Sequence, residues 1–316
     1  MSTSDPLAET QPSTTPPGSW PLDAYQPIRI SRPAQPLQKR RNPFLQGCLT
    51  FFLAGLILFA IYLLLPTRTN ILIMGTDSRD PADPNGRTDT MILTSIVPLR
   101  PDVGMLSVPR DLWVNVTGIG EQRINTAYFL AEINEPGTGA QNAKDTIEDN
   151  FGVEMDYYAL IQFEGILTVV DAIGGVEVQI PRPMSGYDAG TVTMDGTEAL
   201  AFVRDRSGSD DFFRMERGQI FIKSLWTQLL RPDQWNKIPA LVGSLSAVLQ
   251  TDVPIWLYPR LGFALLRAGP SGIDSRVITR ELVNPFTTAG GAQVLGPDWP
   301  AIDPIIEELF GVVPER

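Results

Sequence analysis

Four arginines crowd into the fourteen residues from Arg204 to Arg217 (Arg204, Arg206, Arg214 and Arg217) of a chain whose 36 Asp and Glu outnumber its 25 Lys and Arg. A guanidinium is a planar fork of donors that fits a phosphate bidentately, as a Lys ammonium cannot. A local Arg cluster in an acidic chain therefore reads as a focused anion site, not as a surface for a polyanion. Arg214 and Arg217, three residues apart, share one face of a helix. Asp210 and Asp211 stand just ahead of that helix, where acids also serve as ordinary caps. Three further charged groups end apolar runs of strand length: Asp77-Ser78-Arg79 after NILIMG, Gly86-Arg87-Thr88-Asp89 before TMIL, and Pro109-Arg110-Asp111 after VGMLSV. Each alone is an ordinary turn with a solvated ion pair. Ligands of open α/β sheets lie beyond the strand ends, so convergence of all three on one sheet edge points to phosphate chemistry. Carboxylates there would hold Mg²⁺ between themselves and the phosphate oxygens.

The composition narrows the chemistry further. The 316 residues include no histidine and one cysteine, Cys48. That excludes a Ser-His-Asp triad, a Cys-His dyad, an imidazole ligand, a disulfide framework and a Cys-rich zinc site. A net charge of −11 argues against nucleic acid as a partner. Carboxylates, arginines, hydroxyls and a hard cation remain.

The elements that must position these residues follow a plain order. Residues 1–43 are polar, hold nine prolines, lack any core-forming run, and read as a disordered tail. Phe44–Leu65 follows without a charge, and 22 residues at 1.5 Å each give about 33 Å, enough to cross a bilayer core. Leu63-Leu64-Leu65-Pro66 offers no signal-peptide cleavage site. Lys39-Arg40-Arg41 on the amino side predicts a single-pass protein of the cell membrane, with a cytoplasmic amino terminus and an extracytoplasmic remainder. Cys48 falls within the span, inert or lipidated. The tail carries five bases against three acids and the span none, which leaves −13 on residues 66–316. In that region Asn70–Gly75, Thr90–Pro98, Val103–Val108 and Val176–Ile180 read as strands, with a turn at Leu99–Asp102. Ala140–Phe151, Glu164–Ile173, Gly196–Arg204 and Arg214–Leu230 read as helices. The alternation predicts an α/β domain with a three-layer arrangement.

The succession NILIMGTDSR, GRTDTMIL, MLSVPRD, RINTAYF, VVDAIGGVEV, DGTEALAFVRDR and DDFFRMERGQ, over residues 70 to about 230, resembles the LytR-CpsA-Psr (LCP) family. The resemblance implies an α/β/α sandwich with a mixed central sheet, preceded by one transmembrane helix, and an apolar lipid pocket beside the sheet. It also implies a membrane-anchored phosphotransferase. Such an enzyme moves a glycopolymer (teichoic acid, capsule or arabinogalactan) from a polyprenyl-diphosphate carrier to a sugar hydroxyl of peptidoglycan. By that resemblance Asp77 and Asp89 match the metal-binding and catalytic acids, with Mg²⁺ (or Mn²⁺) as cofactor, and Arg110 joins them as catalytic. Arg79, Arg87, Arg123, Arg204, Arg206 and Arg214 match arginines around the diphosphate. Arg217 and Gln219 match the end of the last motif with a more structural part, and Asp211 matches an acid that orients arginines. Arg123 stands where many members have Lys, and Gly218 where a polar residue is frequent.

Without His, the base for the attacking hydroxyl is a carboxylate, Asp77 or Asp89. Phe163–Val170 and Ile220–Leu230 could line the lipid pocket or simply pack the core. A pyrophosphatase acting on the same lipid, and a non-enzymatic lipid-binding or regulatory protein, are the competing readings. Residues 231–316 carry no chemical motif. Their apolar stretches at Leu241–Leu249, Ile255–Leu266 and Ile305–Phe310 predict helices and a closing strand that fold with the domain.

Overall fold

The computed structural model describes residues 43–76, 86–100, 102–205 and 211–314, in two units, 1–53 and 54–316. The described part of the first is the opening half of helix α1 (Pro43–Leu64), an uncharged helix of 22 residues. By length and composition α1 suffices to cross a membrane.

In the second unit, strands β1 (Thr69–Thr76), β2 (Thr88–Ile96) and β3 (Val103–Val108) form an antiparallel meander. β6 (Tyr157–Gln162) joins β1 in parallel, after the short hairpin β4–β5 (Trp113–Val116, Gly120–Arg123) and helices α2 (Thr126–Asn134) and α3 (Gly139–Phe151). Beyond β6 come α4 (Phe163–Ala172), a hairpin β7–β8 (Val176–Ile180, Gly190–Met194), α5 (Gly196–Arg204) and α6 (Asp211–Leu229). The last part holds α7 (Ile238–Val248), β9 (Leu249–Thr251), α8 (Tyr258–Ala268), β10 (Ile273–Val277), the hairpin β11–β12 (Val283–Thr287, Gln293–Pro297) and α9 (Trp299–Phe310). The main sheet has the order β10-β3-β2-β1-β6-β9 and is mixed: β10 lies parallel to β3, and β9 antiparallel to β6.

Period-two alternation sorts each central strand onto two cores. Leu72, Met74, Met91, Leu93 and Leu106 face Ile147, Phe151, Ile302, Ile306 and Phe310 from α3 and α9. Ile71, Ile92, Ile96 and Met105 face the other way, onto Ala264 of α8 with Ile222 and Trp226 of α6 packed alongside. Helix, sheet and helix layers result, as the sequence predicts. A satellite core joins α4, α5 and α6 to the β7–β8 hairpin through Phe163, Ile166, Val170, Val178, Phe202 and Phe221. Phe163–Val170 is therefore core packing. The segment after residue 230 does more than close the domain with one strand. It supplies both edges of the sheet, β9 and β10, and ends in a helix, α9.

Candidate functional site

The residues that converge lie at one end of the sheet, where β1 and β3 finish and β2 begins. Pairing of β1 with β2 runs regularly from Thr69↔Ile96 to Gly75↔Thr90 and then slips, so that Thr76 pairs with Thr88 and Asp89 has no opposite residue. A bulge of this kind bends the strand and re-aims the extra side chain. The Asp89 carboxylate, with its side chain only 14% exposed, meets Arg110 from the end of β3, whose Nη1 donates to Oδ2 at 2.9 Å. Arg214 from the first turn of α6 reaches the same residue: Nη1 lies 3.5 Å from Oδ2, and Nη2 donates to the Asp89 backbone carbonyl at 2.9 Å. One carboxylate thus holds two guanidiniums from separate elements in register.

A second ring surrounds this pair. Asp111 bridges Arg110 (Nε to Oδ2, 3.5 Å) and Arg123 (Nε to Oδ1, 3.2 Å), and Arg123 also donates to the Gln293 carbonyl at 2.9 Å. Among the described residues three arginines stand here against two aspartates, a balance that suits a phosphate. Asn125, the third residue of RINTAYF, is held between the two sides: its backbone N–H donates to the Arg110 carbonyl and its carbonyl accepts from the Thr88 hydroxyl, each at 3.3 Å. Its Oδ1 is buried and accepts no hydrogen bond among the described residues. Asn125 does not stand out in the sequence, because an amide at the start of a short helix carries no chemical signal until its surroundings are known.

Arg204 arrives at the end of α5. That helix starts with a capping box in which the Asp195 side chain accepts from Glu198 N–H at 2.8 Å and the Glu198 carboxylate accepts from Asp195 N–H at 3.1 Å. The Arg204 guanidinium lies 5.8 Å from the centre of the Phe163 ring. Phe163 in turn needs Gly75: a Cβ there would come within 2.9 Å of the ring. Arg87 is exposed and sits 5.8 Å from the Phe129 ring.

Two of the predicted residues act inside the protein. Arg217 is buried and donates to the Asp205 carbonyl. Burial pushes its guanidinium below the ordinary value, against the opposing pull of the Asp205 and Glu216 carboxylates. Gln219 is also buried, and its amide donates to Ser107 Oγ at 2.9 Å and to the Arg276 carbonyl at 2.6 Å, tying α6 to β3 and β10. Asp77, Arg79 and Arg206 lie outside the described residues, and Asp211 is described only as the first residue of α6.

A groove of about 1190 Å³ opens along α6, between β7 and the end of β10. Phe212, Ile220 and Val277 line it with apolar side chains, Arg182, Lys223 and Arg280 with cations, and Glu216, paired with Arg182, and Glu281 with acids. Ile220, Lys223, Ser224 and Thr227 of the segment Ile220–Leu230 line this groove, while Phe163, Ile166 and Val170 lie in the satellite core. Arg280, 5.9 Å from the Phe212 ring, is a further cation that the sequence reading missed. It follows β10 at the same sheet end, but the polar strand Ile273–Val277 lacks the apolar run that marked the others.

Among the described residues no three acidic or thiol groups gather as a metal cluster. Mg²⁺ does not require one: one or two carboxylates, waters and substrate phosphates complete its shell. Asp89, beside guanidiniums that would hold the phosphates, is a donor of the right kind.

The chain is 34% identical over 190 residues to the polyisoprenyl-teichoic acid–peptidoglycan teichoic acid transferase TagU of Oceanobacillus iheyensis, an alignment that spans 58% of each protein. The crystal structure of B. subtilis TagV superposes with a TM-score of 0.64 at 24% identity, covering 79% of this chain and 99% of that one. The structure of TagT bound to LIIa-WTA does so with a TM-score of 0.61 at 20% identity, covering 78% and 91%; these two establish the fold. The LytR_cpsA_psr family model matches residues 66–310, from the foot of β1 through α9, and the chain belongs to that family.

Proposed function

We propose that this protein is a membrane-anchored phosphotransferase. It would take a glycopolymer from a polyprenyl-diphosphate carrier and join it, through phosphate, to a sugar hydroxyl of peptidoglycan. The observation that carries the proposal is the pair Arg110 and Arg214 fixed on either side of Asp89 in the β2 bulge. The name of the relative at 34% identity supports the substrate class. α1 would anchor the chain with its amino terminus inside and residues 66–316 outside, the sense set by Lys39-Arg40-Arg41.

In this scheme Arg110, Arg214, Arg123 and Arg204 bind the diphosphate and take up the charge that grows on the departing group. The acceptor hydroxyl oxygen forms a bond to the glycan-bearing phosphorus, and the bond from that phosphorus to the bridging oxygen breaks. Polyprenyl monophosphate leaves with the bonding electrons, and the hydroxyl proton passes to a carboxylate, Asp89 or Asp77. Mg²⁺, held by Asp89 with Asp77, would supply additional neutralisation of phosphate charge when bound. Asn125, whose backbone is bonded to Thr88 and to Arg110, would help to hold these two flanks of the site together.

The test is product analysis on the full-length chain in detergent, with a glycan-labelled polyprenyl-diphosphate donor and peptidoglycan. Label in the peptidoglycan, lost in Asp89→Asn, supports transfer. Label released only as soluble phosphoglycan makes the protein a pyrophosphatase, and no turnover in any metal leaves the regulatory reading.

A further inference from the structure

The run Val253–Pro259 (VPIWLYP) contains no charge, between Asp252 and Arg260, yet it is on the surface. Ile255 is 75% exposed, Trp256 70% and Tyr258 48%. The loop is not loose. Ile255–Leu257 form a 3₁₀ turn, Leu257 is buried beneath it, and Pro254 and Pro259 fix the backbone on both sides. A folded domain gains nothing from presenting three large apolar side chains to water on a rigid turn, and such patches mark interaction surfaces.

Two independent observations place this turn at the end of α1. First, the Tyr62 hydroxyl, in the last turn of the helix, donates to the Trp256 carbonyl. Arg260, buried at the start of α8, donates to the carbonyls of Leu65 at 3.0 Å and Thr67 at 2.5 Å, clamping the exit of the helix onto the same element. Second, the sheet register leads there. β9 runs antiparallel to β6, and β6 parallel to β1, so β9 descends from the site end toward the end where β1 begins. The chain leaves β9 at Thr251 and turns at Ile255 beside the foot of β1.

We propose that Val253–Pro259 docks into the interfacial region of the bilayer around α1, with Ile255 and Trp256 entering the acyl boundary. Trp and Tyr favour that depth, where an aromatic body meets lipid and a polar edge meets water. The unit is acidic overall, so the attraction is apolar and added salt does not weaken the docking. The inference rests on α1 being a membrane span, and the test separates the two.

Full-length protein with Cys48→Ser receives a single spin label at Leu58→Cys, Ile255→Cys or Glu121→Cys and is reconstituted in phosphatidylcholine and phosphatidylglycerol vesicles. Collisions with oxygen and with a water-soluble nickel chelate then report depth. The expected result is an oxygen-to-nickel ratio at 255 at least about threefold above that at the exposed residue 121, not lowered by added salt, and below that at 58, as for a segment at the headgroup boundary. If 58 reads lipid and 255 reads water, the docking is wrong while the span stands. If 58 also reads water, both fail. A label at 255 shielded from both probes and broadened by a neighbouring label means a second copy covers the turn, which also overturns the proposal. Should Ile255→Cys fail to fold, brominated lipid in wild type and Trp256→Phe decides: loss of quenchable emission in the variant supports docking, and unchanged quenching refutes it.

Discussion

Asp89 sits between two guanidiniums, and its charge has two separable effects. It orients Arg110 and Arg214, and it partly cancels the positive field those arginines offer a phosphate. Replacing it by Asn keeps the shape and removes the charge. Asp89→Asn is therefore expected to lower transfer by about 10²–10⁴-fold, the usual loss with a general base. Stabilisation of the folded protein by a polyprenyl monophosphate should remain or increase. Thermal shift with and without the lipid phosphate, beside turnover, tests this; a parallel loss of both would assign Asp89 to binding alone. Arg214→Lys tests the other partner. A single ammonium cannot bridge the Asp89 carbonyl and carboxylate while also forking a phosphate. Turnover should fall by about 10²–10³-fold, the range for one charge-stabilising donor, and lipid-phosphate stabilisation should fall with it.

At the scale of elements, the strands were legible because Asn70–Gly75 and Val103–Val108 are apolar runs bounded by charge, and the helices because their apolar residues follow a helical pattern that stops at breakers such as Gly174-Gly175. The hairpins were legible only in part: Val176–Ile180 alternates apolar and polar residues, but Gly190–Met194 and the polar Gly120–Arg123 are strands only because their partners are adjacent. The bulge that aims Asp89 is likewise invisible in the sequence, since it belongs to the pairing of two strands and not to either one. Gly75 is where the motif becomes structural. It leaves room for Phe163, on which Arg204 rests. Gly75→Val is expected to cost about 1–3 kcal/mol by overpacking, read by chemical denaturation, and to impair turnover through displacement of Arg204. A companion Phe163→Leu change, which removes the clash but also the ring, should recover stability more than activity.

At the scale of the molecule, the foot of the sheet and the candidate site are opposite ends of one strand. From Thr69 to Thr76 is seven residue steps, about 23 Å at 3.3 Å each. In the proposed reaction a diphosphate drawn from the bilayer must therefore rise by that distance, or the site must be tipped toward the membrane. The rigid exit from α1 sets that geometry, and Arg260 is its clamp. Arg260→Ala removes the hydrogen bonds from a buried guanidinium to the Leu65 and Thr67 carbonyls and is expected to cost about 2 kcal/mol, the range for hydrogen bonds made by a charged group. The decisive measurement keeps the domain whole and frees only its placement: a Gly/Ser linker inserted after Thr67. A water-soluble donor with a short prenyl chain reaches the site from solution, so its turnover should be unchanged. A long-chain donor embedded in the same vesicles depends on the height and tilt of the site, and its turnover should fall at least about tenfold, as when a fixed geometry gives way to a flexible tether. Equal loss on both donors would mean that the insertion damaged the fold. No loss on either would mean that the lipid, not the protein, does the travelling.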